Sequence, residues 1–318
     1  MLMTRTADGL HLHLAAATVS APHLAKSFSS VANDEQPLKI LISYHYFKTA
    51  DLDKMVANMQ TKPLIFGDCG AFSAHTQGVD INIKDYAAWL KRWQHLINVY
   101  VNLDVIRNPE ATEKNQRILE RTGLQPIPVF HTGTDFKYLD KLCKEYPYIA
   151  LGGMVGAEAT TTMRWAATCM KRSEEHGTAF HGFGQTRAKV IESLPWYSVD
   201  SSSWGMGHRY GLVPVWTGRQ FEKVKIGDKQ SVYKHAATIR KFGVDPICLA
   251  DRGRYNQRYA IQVAAASWRE WEKLLRKRHG AIKCPDRPSG LHIHLVDTAK
   301  ENLVHSAGSM KKQTQEKE

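Results

Sequence analysis

Between residues 38 and 284 the chain alternates short apolar runs with amphipathic stretches. The apolar runs are KILISYHYF (39–47), PLIFGDCGAF (63–72), INVYVNLDV (97–105), QPIPVFH (125–131), YIALGGMVG (148–156), TAFHGFG (178–184), WYSVDSSSW (196–204) and DPICLAD (245–251). Most are continuous β-branched or aromatic runs, the pattern of strands covered on both faces in a parallel sheet. Between them lie helical stretches such as DYAAWLKRWQHL (85–96), NPEATEKNQRILERTG (108–123), TTTMRWAATCMKRSEEHG (161–177) and RAKVIESLP (187–195). Asn108-Pro109 is a helix start, and Gly123 and Gly177 are helix stops. Strand–helix alternation of this kind predicts an α/β chain, a (β/α)8 TIM barrel over residues 38–284, with a doubly wound sheet as the alternative.

One connection departs from the alternation. Residues 205–244 follow the seventh expected strand and contain VPVWTGRQFEKVKIGDK, which alternates like a hairpin turning at Gly227-Asp228. The expectation is a small insertion on the barrel mouth, then a helix over 231–243 and a long helix over 254–280. Residues 1–37 read as an N-terminal extension, and 285–318 as a C-terminal extension with a disordered end. The extensions echo each other: GLHLHLAAAT (9–18) resembles GLHIHLVDT (290–298). Two exposed strands closing the barrel bottom would account for this. A metal cluster of His11, His13, His292 and His294 is the sharper alternative.

Charge adds a partner class. With 43 Lys+Arg against 31 Asp+Glu, the net charge is +12, which suits a polyanion because each neutralised phosphate releases counterions. The five cysteines are scattered without ligand spacing, so neither a disulfide framework nor a zinc site is expected, and a reducing cytoplasm fits best. No apolar run reaches the ~20 residues of a bilayer span, so no membrane association is expected. The N-terminus, interrupted by His11 and His13, reads as neither signal peptide nor anchor.

Catalytic groups of a (β/α)8 barrel sit at the C-terminal ends of its strands. There the chain places Asp68-Cys69-Gly70-Ala71-Phe72, Asn102-Leu103-Asp104, His131-Thr132-Gly133, Gly152-Gly153-Met154, His181-Gly182-Phe183-Gly184 and Asp200-Ser201-Ser202. Three carboxylates on one mouth are costly unless hydrogen-bonded or functional. A carboxylate can hold a sugar covalently, and a second carboxyl can protonate a departing base. A third can accept from the donor edge of guanine. Glycine amides at Gly152 and Gly153 can approach a base carbonyl unobstructed.

These residues, in this order, resemble the tRNA-guanine transglycosylases and the deazapurine DNA transglycosylases of phages and bacteria. The likeness covers roughly residues 38–205. It rests on Asp68-Cys69-Gly70-Ala71-Phe72, Asp104, Gly152-Gly153-Met154-Val155-Gly156, His181-Gly182-Phe183-Gly184 and Ser198-Val199-Asp200. The resemblance implies a barrel that exchanges guanine for a free 7-deazaguanine without a cofactor. It implies Asp200 as nucleophile, Asp68 as general acid/base and Asp104 as reader of the guanine edge. Gly153 would supply an amide, His131 would stand where the family often has a base-holding Gln, and Phe72 and Met154 would sandwich the base. The tRNA enzymes of bacteria and eukaryotes carry a CxCxxC zinc subdomain after the nucleophile strand; residues 205–244 have no cysteine. That departure favours DNA over tRNA as polymer, gripped by Arg209, Arg219, Lys223, Lys225 and Lys229. A non-catalytic nucleic-acid-binding barrel and a glycoside hydrolase are the other classes open to this pattern.

Overall fold

The computed structural model describes residues 10–15, 37–59, 61–185 and 187–279. Eight parallel strands form one curled sheet: β1 (His11–Ala15), β2 (Lys39–Ser43), β3 (Leu64–Asp68), β4 (Ile97–Tyr100), β5 (Val129–His131), β6 (Tyr148–Gly152), β7 (Ala179–Gly182) and β8 (Ser198–Ser201). Their order is β4-β3-β2-β1-β8-β7-β6-β5, with helices between successive strands from β2 to β8. The two edge strands approach each other through a single parallel bridge, Val101↔Ile127. Hydrogen bonds from Asn102 N to Ile127 O (3.0 Å) and from Ile127 N to Tyr100 O (2.9 Å) flank it. The expected α/β architecture of parallel strands and intervening helices is therefore present, with a narrow seam between β4 and β5.

Two strand assignments change. DPICLAD is not a strand: Ile247–Ala250 is a short helix. Asp245 Oδ1 accepts from Ile247 N at 3.1 Å, and Pro246 sits at the helix start with helical φ/ψ. Proline has no N–H to lose there, so local capping overrides the apolar run. The vacant place belongs to β1, which lies between β2 and β8 in register Leu14↔Ile40 and Leu12↔Val199. His11–Ala15 is therefore a central strand of the sheet, buried on both faces, and a boundary at residue 37 severs it from its neighbours. Asp200 accordingly ends the eighth strand of the sheet, not the seventh, and the insertion follows that last strand. The echo segment with His292 and His294 lies outside the described residues, as does the C-terminal extension.

Within the insertion, β9 (Leu212–Trp216) and β10 (Phe221–Lys225) form the expected antiparallel hairpin. Its turn is at 217–220, where Thr217 N donates to Gln220 O at 3.0 Å and Gly218 has φ +92°. Gly227-Asp228 instead starts a helix, with Asp228 Oδ1 accepting from Ser231 N. The hairpin lies against the long helix Gln257–His279, with Trp216 and Phe221 in ring contact with Trp268 and Trp271. No helix among the described residues is long and apolar enough to cross a membrane.

The long helix is tied to the sheet by a buried ion pair. Lys39 Nζ, at the start of β2, bonds Glu272 Oε1 at 2.7 Å, and the same oxygen accepts from Leu12 N at 3.3 Å. Burial pulls the Lys39 ammonium's pKa down while Glu272 holds it up. Removing one partner strands the other charge in the interior, at a cost of about 3–5 kcal/mol. Glu272→Ala should lose stability on that scale in urea titration, while Lys39→Met with Glu272→Leu should lose much less. A single variant within 1 kcal/mol of wild type would show that the pair carries little weight, by the same measure.

Candidate active site

Three strand ends bring Asp68, Asp104 and Asp200 to one mouth of the sheet. Asp68 closes β3, and its Oδ2 accepts from Gly70 N at 3.1 Å. Gly70 has φ +83°, and a Cβ there would lie 2.3 Å from Ser43 Oγ, so only glycine completes this turn. Asp104 follows β4 by four residues. Its Oδ1 accepts from the Cys69 thiol at 3.0 Å, and its Oδ2 lies 2.9 Å from His131 Nε2 at the end of β5. Asp200 sits in β8, and its Oδ1 accepts from Gly184 N at 2.7 Å.

The surroundings of Asp68 set its protonation state. Burial, then the charges of Asp104 and Asp200, raise Asp68 from the usual carboxylate range to about 8, against hydrogen bonds from Gly70 and Cys69 that lower it. Asp68 is therefore a protonated acid at neutral pH. Burial and the neighbouring Asp104 push the Cys69 thiol well up. Cys69 is thus a hydrogen-bond donor to Asp104 rather than a nucleophile.

Beneath Asp200 the interior carries an unusual density of histidine. His11, His13 and His181 have no solvent exposure, and no ring nitrogen of His11 or His13 has a hydrogen-bond partner. His181 stacks on Phe66 (centroids 4.3 Å) and meets Phe183 edge-on (4.8 Å), with His13 at 6.0 Å. Burial lowers the pKa of all three, strongly for His11 and His13. Among the described residues no cluster of His, Cys, Asp or Glu is arranged to hold a metal ion.

These shifts predict acid lability with a definite sign. Each histidine is neutral when folded but protonates below pH 6.5 when unfolded. Its contribution is present above that pH and lost as pH falls. Asp68 acts oppositely, favouring the folded state below its ordinary value of 3.8 and losing that contribution as pH rises through about 8. From pH 6.5 to 5.5 the unfolded histidines take up protons while unfolding releases the one held on Asp68. Stability should therefore fall by about 1–2 kcal/mol over that range. Urea midpoints across that range test it, and a flat profile would mean the histidines are not held neutral.

The base-binding expectations divide. His131 lies across Gly152, where a Cβ would come within 2.6 Å of its Cδ2. Gly153 takes φ +77°, with Thr132 Oγ1 donating to its carbonyl at 2.9 Å. Phe72 is 61% exposed, as an open stacking face requires, but Met154 is buried at 1%. The exposed neighbour is Val155, whose Cγ2 lies against Gly184. Met154 thus packs in the core, because the turn after β6 directs the next side chain outward. A cavity of about 170 Å3 opens beside Asp104, lined by Ala71, His75, Val79 and Asn115 among others.

The five basic residues are not one patch. Arg209 is anchored at the end of β8, where its guanidinium bonds the carbonyls of Ser202 and Gly205 and lies 5.6 Å from the Tyr210 ring centroid. The hairpin turn bearing Arg219 packs level with Trp271, one residue from Glu272, and so lies at the N-terminal end of the strands. The expected overhang of the mouth fails for Arg219, because the aromatic face of the hairpin is buried on the long helix. Lys223 is exposed along β10, and Lys225 and Lys229 lie where the hairpin returns toward its origin.

Sequence reasoning gave no role to Cys69, Ser198, Tyr148 or Val155, and none to His181 beyond its motif. Ser198 and Asp200 are two apart in one strand and so share a face, the signal by which the sequence could have singled out Ser198. No protein-family model and no curated protein matches this chain.

Proposed function

We propose that this chain is a base-exchange transglycosylase that replaces guanine in DNA with a free 7-deazaguanine through an aspartyl-glycosyl intermediate. The observation that carries the reading is the division of labour among the carboxyls: Asp68 holds its proton up to about pH 8, while Asp200 is oriented by the Gly184 amide. In the first half-reaction Asp200 attacks the sugar C1′ as the C1′–N9 bond breaks, and the Asp68 proton passes to the departing base. The products are a glycosyl ester on Asp200, neutral guanine and an Asp68 carboxylate. In the second half the incoming base loses its N9 proton to Asp68, bonds C1′ through N9, and releases the Asp200 carboxylate. Asp104 would read the donor edge of the base, since each carboxylate oxygen can accept a further hydrogen bond beside Cys69 or His131.

The net charge supports a nucleic-acid substrate. So do the large exposed aromatics Tyr46, Phe72 and Tyr210, each on the segment after a strand end. Base stacking on such rings is worth about 1–3 kcal/mol per base. Tyr210→Ala should weaken DNA binding by that order without changing its salt dependence. Arg209→Gln should flatten the slope of log K against log[salt] by about one phosphate contact. Binding isotherms at several salt concentrations decide, and unchanged values for both variants would remove this rim from the interface. Incubation with labelled guanine and either duplex DNA or tRNA tests the function itself. Label entering DNA is expected; label entering tRNA alone would move the proposal to the tRNA branch, and label entering neither would sink it.

A further inference from the structure

The groups beneath Asp200 form a continuous chain. Tyr148 OH bonds Ser198 Oγ, Ser198 Oγ bonds His181 Nδ1, and His181 Nε2 lies 3.4 Å from Asp200 Oδ1. Nε2 is buried with no hydrogen-bond partner at that distance. The ring cannot turn freely, because it is stacked on Phe66 and edged by Phe183. Only one direction of hydrogen bonding suits an ionised Asp200. If Nδ1 carried the proton, a lone pair on Nε2 would face the carboxylate. If Ser198 donates to Nδ1, with Tyr148 donating to Ser198, the proton sits on Nε2, the ring nitrogen 3.4 Å from Oδ1. The same oxygen already accepts from Gly184 N. That amide is available because Gly184 has φ +62° in a place where a Cβ would meet Val155 at 2.7 Å.

We propose that His181 is a positioning residue: with the Gly184 amide it pins Oδ1 of Asp200, leaving Oδ2 to attack, and its Nε2–H tautomer is enforced by Ser198 and Tyr148. This rests on the reading of Asp200 as nucleophile. His181 touches no substrate. When Oδ2 bonds C1′, Oδ1 becomes the ester carbonyl oxygen, and both donors stay on it. When the second base displaces the ester, negative charge returns to the carboxylate, and the same two donors meet it without reorganisation. The groups facing the imidazole from neighbouring strands are Asp200, Ser198, His13, Phe66 and, next along the chain, Phe183.

The test has an arm that does not depend on activity. Full-length protein labelled with 15N-histidine reports the His181 tautomer by NMR, with the resonance assigned by its loss in His181→Gln. Wild type should show Nε2–H, and Ser198→Ala or Tyr148→Phe should abolish that preference. A protonated Nδ1 in wild type, or a tautomer indifferent to both variants, overturns the proposal. The second arm follows trapping and turnover of the Asp200 adduct. His181→Phe keeps the stacked ring but removes the donor, and should slow both half-reactions about 100-fold, the scale for losing one preorganised donor. His181→Gln restores an N–H at similar reach and should recover most of that loss. Equal rates for wild type and His181→Phe would overturn the positioning role. If wild type forms no adduct at all, the transglycosylase reading fails, and the tautomer result still decides the chain.

Discussion

Asp200→Asn should abolish base exchange, by about 10^4-fold or more, while leaving the protein folded. The amide keeps an oxygen to accept from Gly184 N, so the local hydrogen bond survives. What it loses is the oxygen that the proposed mechanism bonds to C1′. The variant should also fail to form the covalent adduct expected of wild type when the second base is withheld, since no ester can be made through a neutral amide. Its urea midpoint should stay close to that of wild type, because only one atom of a pre-formed site has changed. Turnover near the wild-type rate, or an adduct mapped to another residue, would take Asp200 out of the nucleophile role. A loss of activity accompanied by unfolding would be read against Asp200→Glu, which keeps the charge but shifts the oxygen by one methylene.

Much of this site is legible in the sequence because parallel strands announce their ends. Asp68, Asp104, His131 and Asp200 each close or closely follow a continuous apolar run, and the sheet brings those ends together. The strand at 11–15 was harder to read, since alternating Leu and His look half-exposed. In fact both histidines are buried, neutral and facing other aromatic rings. Polar residues inside a sheet break the link between hydrophobicity and burial on which pattern reading rests. The reverse holds at 245–251, where an apolar run is a capped helical turn. The hairpin was legible in its alternation but not in its turn, because Thr217–Gln220 and Gly227-Asp228 offer competing turn chemistry. The Cys69 hydrogen bond to Asp104 and the approach of His131 to its other oxygen follow from side-chain direction across three strands, which spacing alone does not encode.

The pH dependence of exchange should separate Asp68 from every other group at the mouth. Its carboxyl titrates at about 8, raised first by burial and then by Asp104 and Asp200. The first half-reaction needs Asp68 protonated, because the departing base must take a proton to leave as a neutral molecule. Rates of adduct formation should therefore be flat through neutral pH and fall about tenfold per unit above 8. The second half-reaction needs the opposite form, but it inherits a carboxylate already deprotonated by the first, so its rate should not share that limb. Measuring the two half-reactions separately exposes this asymmetry. Asp68→Asn should cost about 10^2–10^4-fold in adduct formation and erase the alkaline limb. It also removes the nearby ionisable group whose charge opposes those of Asp104 and Asp200. Its stability should therefore decline less than wild type between pH 6.5 and 8.5, where ionising the buried carboxyl works against the folded state. An alkaline limb that persists in Asp68→Asn would assign the titration elsewhere. An adduct-formation rate that rises through pH 8 would make Asp68 a base in the first step and reverse the order of proton transfers.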